Sequence, residues 1–108
     1  MRRGEIWLVA GGVYASKPRP AVVLQDDHFA STDSVTVCPL TSTELDAPLL
    51  RMRIDADELS GLDATSWIMV DKLTTVRRAN VPSQAGRLSS AQLVDLERLV
   101  TVFLGLAD

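Results

Sequence analysis

The sequence predicts a mainly β fold with helices (α+β), a small antiparallel barrel or open sheet carrying one C-terminal amphipathic helix. Three observations predict it. Short strand-like runs are punctuated by Gly and Pro. They do not alternate regularly with helical segments, as a doubly wound fold requires. The last segment alone has sustained helical spacing: Leu93, Leu96, Val100, Phe103 and Leu104.

The elements follow in order. Glu5–Ala10 (EIWLVA) is apolar, follows Gly4 and ends at Gly11-Gly12, so it reads as a strand. Residues 11–20 read as a loop. Pro18 and Pro20 push Lys17 and Arg19 toward extended conformations, which stiffens Arg19. Ala21–Leu24 is unbroken apolar sequence and fits a strand buried on both faces. Asp26–Ser34 is polar and holds His28 and Phe29. Val35–Leu40 (VTVCPL) is a strand, with Pro39 placing its end at an edge or bulge. Leu49–Ile54 (LLRMRI) sets Leu50, Met52 and Ile54 against Arg51 and Arg53, a half-exposed strand. DADELSGL reads as one or two helical turns stopped at Gly61. Thr65–Val70 (TSWIMV) is strand-like, and KLTTVRR continues or pairs with it. Ser89 and Gln92 form a capping box, and Gly105 ends the helix.

With 108 residues, nearly half of them apolar, one domain over 1–108 is expected, and it is large enough for a single core. The only cysteine, Cys38, rules out an internal disulfide and suits a reducing cytosol. No apolar run approaches the ~20 residues that span a bilayer, and the opening Met-Arg-Arg-Gly-Glu has no leader pattern. A soluble, cytoplasmic protein with no membrane partner is expected. Net charge is −3, yet it is unevenly spread. Nine acids lie between Asp26 and Asp63, whereas 72–87 holds Lys72, Arg77, Arg78 and Arg87 and no acid. Arg2, Arg3, Lys17 and Arg19 form a second basic group. The two groups read as a nucleic-acid footprint or as plain solvated surface.

Few chemistries have residues to carry them. One His and one Cys, His28 and Cys38, show no metal-ligand spacing, so no metal and no cofactor is expected. There is no phosphate-binding glycine loop and no Gly-x-Ser-x-Gly elbow. Two features remain. Arg19 stands between prolines, and its guanidinium offers paired, permanently charged donors suited to phosphate. Pro39–Ser42 (PLTS) ends a strand with two hydroxyls. Each also has a bland reading: Arg-Pro before a strand is common, and Thr-Ser after one is a turn cap.

The ordered set RRGEIW, RPAVVLQ, VTVCPLTS, GLDATSWIMVDKLTTV and GRLSSAQLVDLERLVTVFLGL resembles the MazF/PemK family of toxin endoribonucleases over nearly the whole chain. The resemblance implies a small SH3-like barrel of the CcdB/PemK type with a C-terminal amphipathic helix, and a homodimer. It implies metal-independent, sequence-specific cleavage of single-stranded RNA (mRNA), and silencing by a cognate antitoxin protein. Carried over by motif, Arg19 and Thr41 are the catalytic pair at the scissile phosphate. Lys17, Ser42 and Lys72 are substrate-binding candidates, or else ordinary surface. Asp71 is a candidate base, or a turn or ion-pair residue. Where many members carry Ser-Glu-Gln before the arginine, this chain reads GGVYASKP, with Tyr14 placed to stack on a base or to cover the barrel end. Where members have Asp-Gln or Glu-Gln, it has Asp71-Lys72. Two alternatives stay open. One is a CcdB-like gyrase poison, whose Trp-Gly-Ile tail this chain, ending FLGLAD, lacks. The other is a small-barrel binding module without chemistry.

Overall fold

The computed structural model describes residues 1–10 and 17–106. The expectations for Gly11, Gly12, Tyr14 and Ser16 fall outside the described residues. Seven strands form one antiparallel sheet: β1 (Glu5–Val9), β2 (Arg19–Val23), β3 (Ser34–Thr41), β4 (Arg51–Ile54), β5 (Ser66–Met69), β6 (Thr74–Arg77) and β7 (Ser83–Arg87). The helix α1 (Ser90–Phe103) follows. The order is β4-β5-β3-β2-β1-β7, with β6 also on β3. The sheet curls into a half-barrel. Its two ends approach each other where the Arg87 amide donates to the Leu59 carbonyl, 2.9 Å away.

Period-two alternation puts two apolar sets on the two faces of β2 and β3. Val22, Cys38 and Leu40 join Ile6, Ile54, Ile68 and Leu96 on the concave side. Ala21, Val23, Val35 and Val37 join Val81 on the convex side, beside Trp7 and Val9. The run after Arg19 is therefore buried on both faces, as its unbroken apolar character predicts. Cys38 is fully buried; desolvation, then the Asp71 charge, pushes its thiol up to about 12. It is no nucleophile at neutral pH.

Several boundaries differ from the sequence reading. β2 begins at Arg19 because β1 supplies partners, Val9↔Arg19 and Leu8↔Pro20. β4 starts only at Arg51, after a turn in which the Leu50 and Arg51 amides donate to the Ala47 carbonyl. Arg51 does not face water: its side chain is largely buried and paired with Asp71. KLTTVRR continues past a short 3₁₀ turn, Val70–Lys72, and runs on along β3 rather than pairing with β5. Pro39 is inside β3, at the corner where that strand exchanges β6 for β5 as its partner. A residue without an N–H is tolerated where the ladder changes hands.

DADELSGL stays at the short end of the one or two helical turns read from its sequence. It makes a single turn, closed by the Gly61 amide on the Asp57 carbonyl at 3.0 Å. Ser60 is buried there, and its hydroxyl donates to the Asp55 carbonyl. β7 has no counterpart in the sequence reading, because SQAGR carries neither β-branched residues nor apolar alternation.

The capping box is present: Gln92 N donates to Ser89 Oγ at 3.1 Å, and Ser89 N to Gln92 Oε1 at 2.9 Å. At the other end Leu106 N bonds Thr101 O and Gly105 N bonds Val102 O, with Gly105 at φ +73°. This is a Schellman stop. Leu96 is fully buried and Leu93 and Val100 pack beside it, but Phe103 and Leu104 are exposed, as are Val94, Val102 and Leu106. The apolar stripe outruns the core of one chain. Ser89→Ala is expected to cost about 1 kcal/mol, read as a lower urea midpoint with an unchanged slope.

Candidate active site

Two prolines shape the site. The β2–β3 ladder runs Val23↔Val37, Val22↔Cys38, Ala21↔Pro39 and stops there. Continuing that register sets Pro20 across from Leu40 and Arg19 across from Thr41. Pro20 has no N–H to extend the ladder, and the strand ends leave space between them. Pro20 and Leu40 line the resulting hollow, about 240 Å³, together with Arg19, Ser42, Asp63 and Ser66.

Arg19 is exposed and, among the described residues, forms no ion pair. It borders that concave-side hollow and also a smaller apolar one on the convex face, about 150 Å³, shared with Val37, Pro39 and Thr74. Arg19 thus stands at the rim between the faces, on a backbone that two prolines and the β1 pairing restrict. Thr41 is half-buried at the end of β3. Its Oγ accepts the Thr43 amide at 3.1 Å, the turn-cap role expected of Thr-Ser. That bond uses a lone pair and leaves the hydroxyl hydrogen free to donate.

Thr41 itself lines neither hollow at Arg19, and the other candidates divide between those that do and those that do not. Ser42 is exposed and lines the hollow with Arg19. Lys17, exposed two residues before Arg19, and Lys72, exposed at the end of the 3₁₀ turn, line neither hollow at Arg19. Asp71 takes the ion-pair role: Arg51 Nη1 holds its carboxylate, and neither hollow at Arg19 includes it. His28 pairs with Asp26 in an exposed 3₁₀ turn. Among the described residues no His, Cys, Asp and Glu side chains group as metal ligands.

The basic groups converge only in part. Arg2, Arg3 and Arg87 border one hollow near the start of α1, where Arg3 also binds Glu97 at 2.6 Å. Arg77 and Arg78 border a wider hollow, about 740 Å³, which includes neither Arg19 nor Thr41. Arg78 is spent there on the Thr32 and Phe29 carbonyls. Its width is the space under a surface loop and does not make it the reactive place.

Sequence reasoning missed Asp63, the acid that shares the hollow with Arg19. It is the last of the nine acids between Asp26 and Asp63, and nothing local separates it from the other eight. Only the fold singles it out.

Comparison with known proteins matches residues 2–104 to the family of PemK-like, MazF-like toxins of type II toxin–antitoxin systems. A probable endoribonuclease MazF of Mycolicibacterium smegmatis is 47% identical over 108 residues, covering 99% of each chain. The fold is similar to that of the Mycobacterium tuberculosis toxin MazF-mt6, with a TM-score of 0.82 at 23% identity over 96% of this chain and 99% of that one. It is equally similar to a mycobacterial endoribonuclease solved with its cognate antitoxin, with a TM-score of 0.82 at 17% identity over 100% and 98% of the two chains.

Proposed function

The chain belongs to the PemK-like, MazF-like toxins of type II toxin–antitoxin systems and is a MazF-type endoribonuclease, and on that premise we propose that it cuts single-stranded RNA at a linkage held between Arg19 and Thr41. The observation that supports this is the β2–β3 register, Val22↔Cys38 and Ala21↔Pro39, whose continuation past the last paired residues would bring position 19 opposite position 41.

The RNA's own 2′-hydroxyl is the nucleophile. It attacks the adjacent phosphorus in line, and the 5′-oxygen leaves. The products are a 2′,3′-cyclic phosphate and a 5′-hydroxyl. DNA lacks the nucleophile, so selectivity for RNA comes with the reaction. Negative charge grows on the phosphoryl oxygens in the transition state. The Arg19 fork meets that charge with two fixed donors, and a donor already in place need not reorganise as the reaction proceeds. Thr41 adds a third donor through the hydroxyl hydrogen that the Thr43 contact leaves free. Ser42, beside them, and Lys17 and Lys72, flanking, steer and hold the polyanion. The scheme is metal-independent and needs no cofactor.

The same premise extends to assembly. Residues 1–108 form one toxin domain, since both apolar clusters share β2 and β3. It acts as a homodimer: Val94, Val102 and Phe103 on α1, with Leu104 and Leu106 just past its end, leave exposed apolar side chains that a second copy would cover. A cognate antitoxin segment, acidic and apolar, lies over Arg19 and its hollows and folds as it binds. The protein works in the cytoplasm, where mRNA is; none of the described helices is long and apolar enough to cross a membrane.

The test is incubation with a long single-stranded RNA in EDTA. Discrete fragments ending in 2′,3′-cyclic phosphate are expected, with DNA of the same sequence left intact. Cleavage only with added divalent cation, or 5′-phosphate ends, would overturn the scheme.

A further inference from the structure

The hollow on the concave side of Arg19 contains more than phosphate chemistry requires. Pro20, Leu40 and Leu62 give it apolar walls. Its volume, about 240 Å³, lies just under the ~300–1,000 Å³ of small-molecule sites. That suits a planar group with apolar faces and a polar edge. Of its polar members Arg19 donates hydrogen bonds, Ser42 can donate or accept, and Asp63 and Ser66 accept. Ser66 donates its hydroxyl hydrogen to the Ala64 carbonyl at 2.9 Å, which leaves only lone pairs facing outward. Asp63 has no hydrogen-bond or ion-pair partner among the described residues. A carboxylate is an awkward neighbour for a polyanion unless something donates to it.

Asp63 is also held in place. Behind it Gly61 packs against the β7 backbone, and ahead of it Ser66 is buried at the start of β5. The loop that carries it is anchored at both ends, so its position does not depend on a ligand.

We propose that this hollow takes the base adjoining the scissile linkage, and that Asp63 selects that base through its N–H donors, favouring guanine. The inference rests on the cleavage centre placed at Arg19. Guanine presents two adjacent N–H groups on its Watson–Crick edge, which match the two oxygens of a carboxylate. Cytosine and adenine offer one amino group each. Uracil sets a carbonyl on either side of its single N–H, and those oxygens would face the carboxylate. Single-stranded RNA leaves these edges open to be read. A carboxylate at this place in the hollow therefore favours some bases and repels another, which is how specificity is built.

The test is cleavage of a randomised RNA by the full-length wild type, Asp63→Asn and Asp63→Ala, with sequencing of the 5′ ends. Wild-type cuts are expected to carry guanine at one position next to the break. Both variants should lose that preference by about tenfold to a hundredfold, at that position alone, with thermal unfolding unchanged because the side chain is exposed and unbonded. An identical base profile in all three proteins overturns the proposal. So does a uniform loss of rate at every site with the loss of one limb of the pH–rate profile, which would make Asp63 a general base. Arg19→Ala run in parallel keeps the two ideas apart. If it still cuts, the cleavage centre is wrong whatever the Asp63 profiles show. If it is silent while the Asp63 profiles match wild type, only the base-reading role fails.

Discussion

Arg19→Ala removes RNA cleavage and leaves the fold standing. Preorganised donors aimed at developing charge are among the largest single terms in catalysis; deleting one costs about 10²–10³ in rate. Arg19 would supply two such donors from one side chain, so the loss should reach or exceed the upper end of that range. The fold should not notice. The side chain is exposed and makes no ion pair among the described residues, and such surface changes usually stay within about 0.5 kcal/mol. A thermal melt and a single-turnover cleavage assay measure the two halves. Arg19→Lys sharpens the test. It keeps the charge but replaces a planar fork by a point charge on a flexible stem, so it too should be severely impaired. Wild-type cutting by the alanine variant sinks the assignment. Near-normal cutting by the lysine variant would show that charge without paired geometry is enough.

Gly61→Ala is expected to be among the most destabilising single changes in the chain. Gly61 has φ +66°, a conformation that costs an L-residue about 1–2 kcal/mol. A Cβ there would also lie 1.8 Å from the Ala85 carbonyl oxygen. The obstruction is backbone of β7, which cannot rotate away. Overpacking of this kind adds about 1–3 kcal/mol, for a total loss of about 2–5 kcal/mol, read by urea denaturation. Gly105→Ala is the control. It shares a positive φ of +73° but has nothing within 4 Å of the added Cβ, so it should show the conformational cost alone. Equal losses in the two variants would mean that the contact between the 57–62 turn and β7 is looser than described. The same contact can be approached from the other side: Gly86→Ala would place its Cβ 2.3 Å from the Ser60 carbonyl oxygen. Because Asp63 is two residues from Gly61, either change should also blur the base preference beside the cut.

The elements that proved legible were those whose signal is local. The helix announced itself through Ser89, Gln92 and Gly105, each acting within one turn of its own position. The strands at EIWLV and VTVCPLT showed β-branched or aromatic character together with clear punctuation. Failures came where the signal was weak or the deciding partner distant. SQAGR has no strand character of its own and becomes β7 because β1 offers it a free edge, Trp7↔Gln84 and Leu8↔Ser83. Arg51 looked outward by alternation, but Asp71 draws it in.

By itself the sequence determined the class of fold, the closing helix with both its ends, and, through the order of its motifs, the family and the two residues proposed to face the phosphate. Those are properties of neighbouring residues or of motif order, and both survive in a linear string. Only the tertiary structure decided that Pro20 and Leu40 border a common hollow, that Asp71 is spent on Arg51, and that Asp63 borders the same hollow as Arg19. Those depend on strand register and on the close approach of two glycine backbones. Such contacts join residues far apart in the chain, and no local preference of either partner records the other.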